Sequence, residues 1–275
     1  MVSQFKGKKF PKALIVVKKQ KKGKKFQKVS KPLKNAITRI VKGTQETKLA
    51  MDYQIPELFN GQITSKGTTG GDWRFPLPNI PMVGNGGVLG NAANRIGDTV
   101  QPTSFRVYNT ISLSDLTELT ADIYVNFFVF TLKSAKSLTV VQDSSSPDPG
   151  SFLDTGNGTV GAWLGNTTDL GLPINHREFN LIAVRRFRLS KGTGHINEGT
   201  YDDATITGAS QTFKHFIINI PCPKSLKYSA DLDEQPQNFC PVMAVGYCHM
   251  DGTAADSVTQ NLRWAWRSCL YYKDS

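Results

Sequence analysis

The chain has 275 residues, with 33 Lys and Arg against 22 Asp and Glu, for a net charge of +11. Residues 1–48 hold sixteen of the basic residues and one acid, Glu46, which is a net +15, whereas residues 49–275 hold 17 basic and 21 acidic residues, a net −4. This uneven distribution excludes a uniformly basic globule and predicts a polyanion-binding arm joined to a separate, mildly acidic body.

The apolar run nearest the N-terminus, residues 13–17, is too short for a signal-peptide core or a membrane span. No membrane partner is therefore predicted, and the expected compartment is the cytosol or nucleus. The four cysteines, Cys222, Cys240, Cys248 and Cys269, form no CxxC pair, and we expect them to be reduced and mostly buried.

Residues 1–43 are predicted to form a Lys-rich arm, disordered over 1–29 because charge repulsion and sparse apolar content oppose ordering. Residues 30–43 carry apolar side chains at helical spacing and indicate a short amphipathic helix, with a frayed segment as the alternative. The predicted phosphate contacts are the basic residues Lys6, Lys8, Lys9, Lys12, Lys18, Lys19, Lys21, Lys22, Lys24, Lys25, Lys28, Lys31, Lys34, Arg39 and Lys42.

Three aromatic residues, Phe5, Phe10 and Phe26, alternate with these lysines and are placed to stack on unpaired bases. The basic run 18–25 also matches a nuclear-import signal, which adds host import receptors as possible partners. A solvated charge run with incidental aromatics is the alternative interpretation of the arm. Binding by such an arm is expected to be blind to sequence and steeply salt-dependent.

Residues 44–275 are predicted to form one all-β domain, because short strand-like runs alternate with turn-rich loops and no helix of crossover length separates them. Unequal loops, including two long ones at 56–98 and 134–178, favour an eight-stranded antiparallel jelly-roll sandwich over an up-and-down barrel. That fold serves capsids, lectins and cupins alike. The eight candidate strands are 46–55, 102–113, 121–133, 178–189, 211–221, 224–229, 239–250 and 260–273.

Catalysis is not expected. The histidines, His176, His195, His215 and His249, are isolated from one another, and no metal or cofactor motif is present. The glycine-rich segment 84–90 does not match the GxGxxG fingerprint of dinucleotide-binding proteins, because Leu89 occupies the third glycine position. Two acidic groups, Asp202 with Asp203 and Asp231 with Asp233 and Glu234, are either calcium ligands or solvated loop carboxylates.

A second basic cluster lies in the predicted strand 178–189. Arg185, Arg186 and Arg188 either add phosphate contacts on an inner face or pair with acids of the body. The sequence leaves both open.

The segment Asn94-Arg95-Ile96-Gly97-Asp98-Thr99-Val100 runs directly into a strand, and the chain closes on Arg263-Trp264-Ala265-Trp266-Arg267 and Tyr271-Tyr272-Lys273-Asp274. With the basic arm, these features resemble the capsid proteins of circular Rep-encoding single-stranded DNA viruses, including circoviruses. The arm is Lys-rich where circoviruses favour Arg.

The resemblance implies a single jelly-roll subunit that assembles with many copies of itself into an icosahedral virion. Its arm would face inward on circular single-stranded DNA, and the protein would pass through the host nucleus. One alternative is a small RNA virus coat protein, because arm electrostatics do not distinguish DNA from RNA. Two others are a monomeric nuclear nucleic-acid-binding β-sandwich and a jelly-roll lectin or enzyme.

Overall fold

A computed structural model describes residues 30–44, 46–66, 72–83, 94–114, 122–143, 148–190, 211–255 and 260–274. The chain divides into two units, Met1–Gln45 and Glu46–Ser275. Within the parts of the chain so described, neither helix has the length and apolar character needed to cross a membrane. The predicted boundary between arm and body at residues 43 and 44 stays a prediction.

In the first unit, helix α1 spans Lys31–Thr44, over the residues 30–43 for which the sequence indicates a helix. Leu33, Ile37 and Ile40 follow one another at spacings of four and three residues and therefore share a face. Within this unit their exposed fractions are 53, 48 and 66%. The amphipathic pattern is thus present as an apolar stripe along α1.

In its described residues, the second unit consists mainly of strands, with one short helix, α2 (Leu138–Asp143), and 3₁₀ turns at Pro149–Ser151 and Thr167–Leu170. The strands are β1 (Lys48–Phe59), β2 (Trp73–Arg74), β3 (Thr99–Leu113), β4 (Ile123–Leu132), β5 (Leu153–Gly156), β6 (Thr159–Gly161), β7 (Phe179–Leu189), β8 (Phe213–Asn219), β9 (Leu226–Lys227), β10 (Pro241–His249) and β11 (Leu262–Asp274).

Two antiparallel sheets form the sandwich. The first has the order β1-β11-β3-β8, with β9 also paired to β3, and the second has the order β2-β10-β4-β7. Counted along the chain without β5, β6 and β9, the eight sandwich strands run 1-8-3-6 in one sheet and 2-7-4-5 in the other. This order winds two Greek keys into a jelly roll, so the predicted fold class is confirmed.

Two of the strand predictions need correction. The run 224–229 contributes only the two-residue β9, which pairs with the start of β3. The remaining sandwich strand is β2, inside the segment predicted as a loop over 56–98. β2 holds its place through side chains and not through length: Trp73 packs edge-on against Phe130 at 5.4 Å. A two-residue strand has no alternation that a sequence pattern can reveal.

The predicted loop over 56–98 also begins too early. β1 continues past Pro56 to Phe59, with a register shift between Gln54 and Glu57 where it pairs with β11. Proline is compatible with such an irregularity because its missing N–H leaves no ladder bond unmade there.

The segment 134–178, predicted as a long insertion, folds over the outer side of the second sheet. Trp163 donates from Nε1 to the carbonyl of Gly61 at 3.0 Å and meets the ring of Phe128 at 5.6 Å. β4 is therefore covered on both sides, as its apolar sequence predicts: Phe127 faces the core between the sheets and Phe128 faces the insertion.

Candidate nucleic-acid interface

The predicted arm contacts fall into two groups. Eleven of them, together with Phe5, Phe10 and Phe26, lie outside the described residues; these are Lys6, Lys8, Lys9, Lys12, Lys18, Lys19, Lys21, Lys22, Lys24, Lys25 and Lys28. The remaining four, Lys31, Lys34, Arg39 and Lys42, are positions of α1. Lys31 and Lys34 are exposed, and by helical spacing they lie on a different face from the apolar stripe.

The basic stretch ends before Lys48. This lysine lies in β1, where its Nζ is 2.5 Å from the Asp274 carboxylate and donates to the Asn94 carbonyl at 2.8 Å. Lys48 thus links the start of β1 to the end of β11 and belongs to the sandwich. Without it, residues 1–47 hold 15 basic residues and Glu46, a net charge of +14.

The three arginines of β7 do not form one cluster. In the pairing with β4, Arg185 stands opposite Phe127, Arg186 opposite Asn126 and Arg188 opposite Tyr124. Because side chains alternate between the two faces of a strand, Arg185 shares the face of the core residue Phe127, and Arg186 and Arg188 lie on the other face. All three are exposed on this edge strand.

Arg188 is also paired with an acid, one of the two outcomes left open by the sequence. Its Nη2 lies against the carboxylate of Asp122. Burial acts to raise the pKa of Asp122, but hydrogen bonds from Ser190 and Arg188 and the Arg188 charge outweigh it, so the pKa is lowered. Of the three, Arg188 is the one whose charge is already offset within the sandwich.

The 94–100 segment that carries the resemblance has a structural role. Arg95 is fully buried and its guanidinium donates to the carbonyls of Gly97 at 2.9 Å, Ala230 at 2.8 Å and Asp233 at 3.0 Å. The guanidinium also lies over the ring of Tyr228 at 4.3 Å. Arg95 therefore ties the loop that precedes β10 to the start of β3, and it is not available to a phosphate.

The acidic loop at 231–234 is likewise used internally. Oδ2 of Asp233 accepts from the Ser229 hydroxyl at 2.6 Å and from the Ser229 and Ala230 backbone N–H groups at 3.1 Å. The Ser229 hydroxyl is the main reason that the pKa of Asp233 is lowered. Across the described ranges, no three His, Cys, Asp or Glu side chains come together in a way that could hold a metal ion. Asp202 and Asp203 lie outside those ranges.

His215 and His249 contact different side chains, and the four cysteines form no disulfide. Nδ1 of His215 lies 3.1 Å from the Thr110 hydroxyl, His249 packs edge-on against Tyr247, and His195 is outside the described residues. All four cysteines are free, three of them buried and Cys222 half-buried, as predicted. Burial raises the pKa of Cys222 and Cys240 to about 12 and that of Cys248 to about 11, which keeps these thiols protonated.

Sequence reasoning missed one basic and aromatic surface, the outer face of the first sheet, which points away from the second sheet. Register brings Arg263 and Arg267 of β11 beside Ser112 and Tyr108 of β3, while Trp264 and Trp266 point into the core. Alternation along β11 was visible in the sequence, but its partner strand was not. The face also carries Arg106, which stands opposite Cys269.

No protein-family model matches the sequence, and a search of curated proteins returns no match either. Among solved structures, the chain is similar to one described as the crystal structure of the 60-mer BFDV capsid protein. The two are 9% identical with a TM-score of 0.27, and the alignment covers 84% of this chain and 94% of that one. The jelly-roll assignment follows from the strand order and does not depend on this alignment.

Proposed function

We propose that this protein is a viral capsid subunit that assembles with copies of itself into an icosahedral shell and packages single-stranded DNA through its basic arm. The observation that carries the proposal is a combination of two features. The body has a complete jelly-roll strand order, and residues 1–47 carry a net charge of +14 whereas residues 49–275 carry a net charge of −4. Jelly rolls of this order serve as capsid modules, and a segregated basic segment suits a polyanion that many copies share.

The net charge of the arm determines how its affinity for nucleic acid depends on salt. If about 14 phosphates are neutralised per arm and each contributes a slope of roughly −0.7 for single strands, affinity falls by about ten powers of ten for each tenfold rise in salt. Such contacts read charge and not sequence. Residues Lys31 and Lys34 extend the charged segment onto α1, where they are exposed.

The direct test is to express the full chain, purify it at low salt and examine it by electron microscopy. Uniform closed shells are expected, with nuclease-protected nucleic acid that is degraded by a single-strand DNase after the shells are opened. A protein that stays monomeric at every salt and nucleic-acid concentration overturns the proposal. Protected RNA in place of DNA retains the shell and changes the genome assigned to it.

The role of the arm is tested by replacing Lys18, Lys19, Lys21, Lys22, Lys24 and Lys25 with Gln. Packaged nucleic acid is expected to fall while circular dichroism of the sandwich is unchanged, because these lysines precede the strands. Replacing the same residues with Arg keeps the charge and is expected to keep packaging. Equal packaging by the Gln and Arg variants would contradict an electrostatic role for the arm.

A further inference from the structure

We propose that the outer face of the first sheet is a second nucleic-acid contact surface, with a pocket between Tyr108, Arg267 and Tyr271 that takes an unpaired base. The inference rests on the proposed function, since it gives the same single-stranded nucleic acid a contact beyond the arm. It concerns the folded sandwich, whereas the arm contacts precede it.

The charge of this face differs from that of the body that carries it. Its described positions include Arg106, Arg263, Arg267 and Lys273 and no acidic residue, although residues 49–275 sum to −4. Of the carboxylates in the described segments, none lies within ion-pair distance of Arg106, Arg263 or Arg267. The face is therefore a local positive surface on an acidic domain, which favours a polyanion.

Aromatic side chains stand directly beside the arginines. Arg267 lies between Tyr53 of β1 and Tyr108 of β3 in the cross-strand pairing, and Ile217 of β8 continues the row. Tyr53 is 73% exposed. Tyrosine rings interleaved with guanidinium groups form a stacking surface for bases of any sequence.

One hollow in this face has the dimensions of a small-molecule site. Leu49, Tyr108, Arg267, Cys269 and Tyr271 line a volume of about 410 Å³, within the range of roughly 300–1,000 Å³ typical of ligand pockets. Cys269 is a small residue between Arg267 and Tyr271 on the same face of β11. The Cα atoms of Arg267 and Tyr271 are about 13 Å apart along the strand. A planar base fits between them with its phosphate near the guanidinium.

A second copy of the chain is the competing occupant, because Met51, Phe213 and Ile217 are also exposed on this face, at 53, 62 and 47%. Symmetric pairing of two such faces would bring arginines against arginines without an acid between them. Charge complementarity therefore favours nucleic acid.

The test uses the full chain and oligo(dT) in which some thymines are replaced by 5-iodouracil, cross-linked by long-wavelength light and mapped by mass spectrometry. Binding is measured at high salt, where the contribution of the arm is small. Cross-links at Tyr108 or Tyr271 are expected. Tyr108→Ala should weaken binding by about five-fold or more, and Tyr108→Phe, which keeps a stacking ring, should bind within about two-fold of the wild type.

Arg267→Gln is compared with Arg177→Gln, which removes the same charge from an exposed position of the insertion on the second sheet, and only the former should weaken binding. The inference is overturned if cross-links are confined to residues 1–45 and Tyr108→Ala binds oligo(dT) as tightly as Arg177→Gln. Shells and packaging by the wild type would then still support the proposed function. If Tyr108→Ala or Arg267→Gln forms no shells but binds oligo(dT) like the wild type, the face is a contact between copies of the chain. That result also overturns the inference. Cross-linking at Tyr108 by a protein that forms no shells supports this surface and rejects the proposed function.

Discussion

The indole Nε1 of Trp264 donates a hydrogen bond of 3.1 Å to Oδ1 of Asn109, and neither side chain is exposed. Trp264 lies on β11 and Asn109 on β3, so this polar contact sits inside the core between the sheets. Trp264 also meets the ring of Phe127 at 5.2 Å from the opposite sheet. A polar pair of this kind must stay matched, because a buried donor without an acceptor is costly.

Asn109→Leu is expected to lower the free energy of unfolding by about 1–3 kcal/mol, because it leaves the Trp264 N–H without an acceptor. Gln54→Leu is the control: Gln54 accepts from Trp266 at 2.6 Å in a half-buried position, where water can replace it. Urea denaturation followed by tryptophan fluorescence measures both. A loss for Gln54→Leu as large as that for Asn109→Leu would contradict this account.

Arg95→Met is expected to cost about 2–4 kcal/mol of stability, since it leaves the backbone acceptors around the guanidinium unmatched in a buried site. Asp98→Asn tests the ion pair alone. The Asp98 carboxylate lies 3.5 Å from Arg95 but is 66% exposed, so its removal should cost no more than about 1 kcal/mol. Thermal and urea unfolding of the two variants give the comparison, and equal losses would show that charge pairing, not backbone hydrogen bonding, holds Arg95.

Gly246→Ala should destabilise the second sheet. A Cβ at Gly246 would lie 2.3 Å from Nε1 of the buried Trp163, and forcing extra atoms into a packed site costs about 1–3 kcal/mol. Trp163 would have to move from the β10 surface and lose its bond to Gly61. Near-ultraviolet circular dichroism and Tm report both effects.

Gly150→Ala is the control, in the insertion that carries Trp163, because a Cβ at Gly150 meets its nearest atom at 3.6 Å. Its Tm should be close to that of the wild type. If Gly246→Ala were equally neutral, the insertion would not be anchored through Trp163.

The acid limb of stability is expected to depend on Asp233. Its pKa is lowered from 3.8, first by the Ser229 hydroxyl, so the ionised form stabilises the folded state. That contribution is complete above pH 3.8 and is lost as the pH falls through the lowered folded-state value. Asp233→Asn should therefore be less stable than the wild type at pH 7, with the difference shrinking in acid. Urea unfolding from pH 7 to pH 2 would contradict this if the two curves stayed parallel.

Several features could be predicted from the sequence because they depend on neighbouring residues. The spacing of Leu33, Ile37 and Ile40 indicates a helix where α1 lies, with a frayed segment as the alternative, and the run of four apolar residues in β4 predicts a strand covered on both sides. Free, buried cysteines also followed from their spacing and composition. Each of these depends on local periodicity or local chemistry.

The role of Arg95 could not be predicted in that way. In the sequence it belongs to a turn that resembles a capsid motif, but its hydrogen-bond acceptors at Ala230 and Asp233 are more than 130 residues away. The same holds for β2, which is a strand only because Trp73 and Arg74 pair with β10.

By itself, the sequence determined the charge division between arm and body and the all-β character of the rest, since these follow from composition and periodicity. Only the tertiary structure decided which strands are neighbours, that Arg185 shares the face of the core residue Phe127, and that Tyr108 and Arg267 share a face of the first sheet. The physical reason is register: a shift of one residue in a strand pairing moves every side chain to the other face, and register is set by packing across the sandwich.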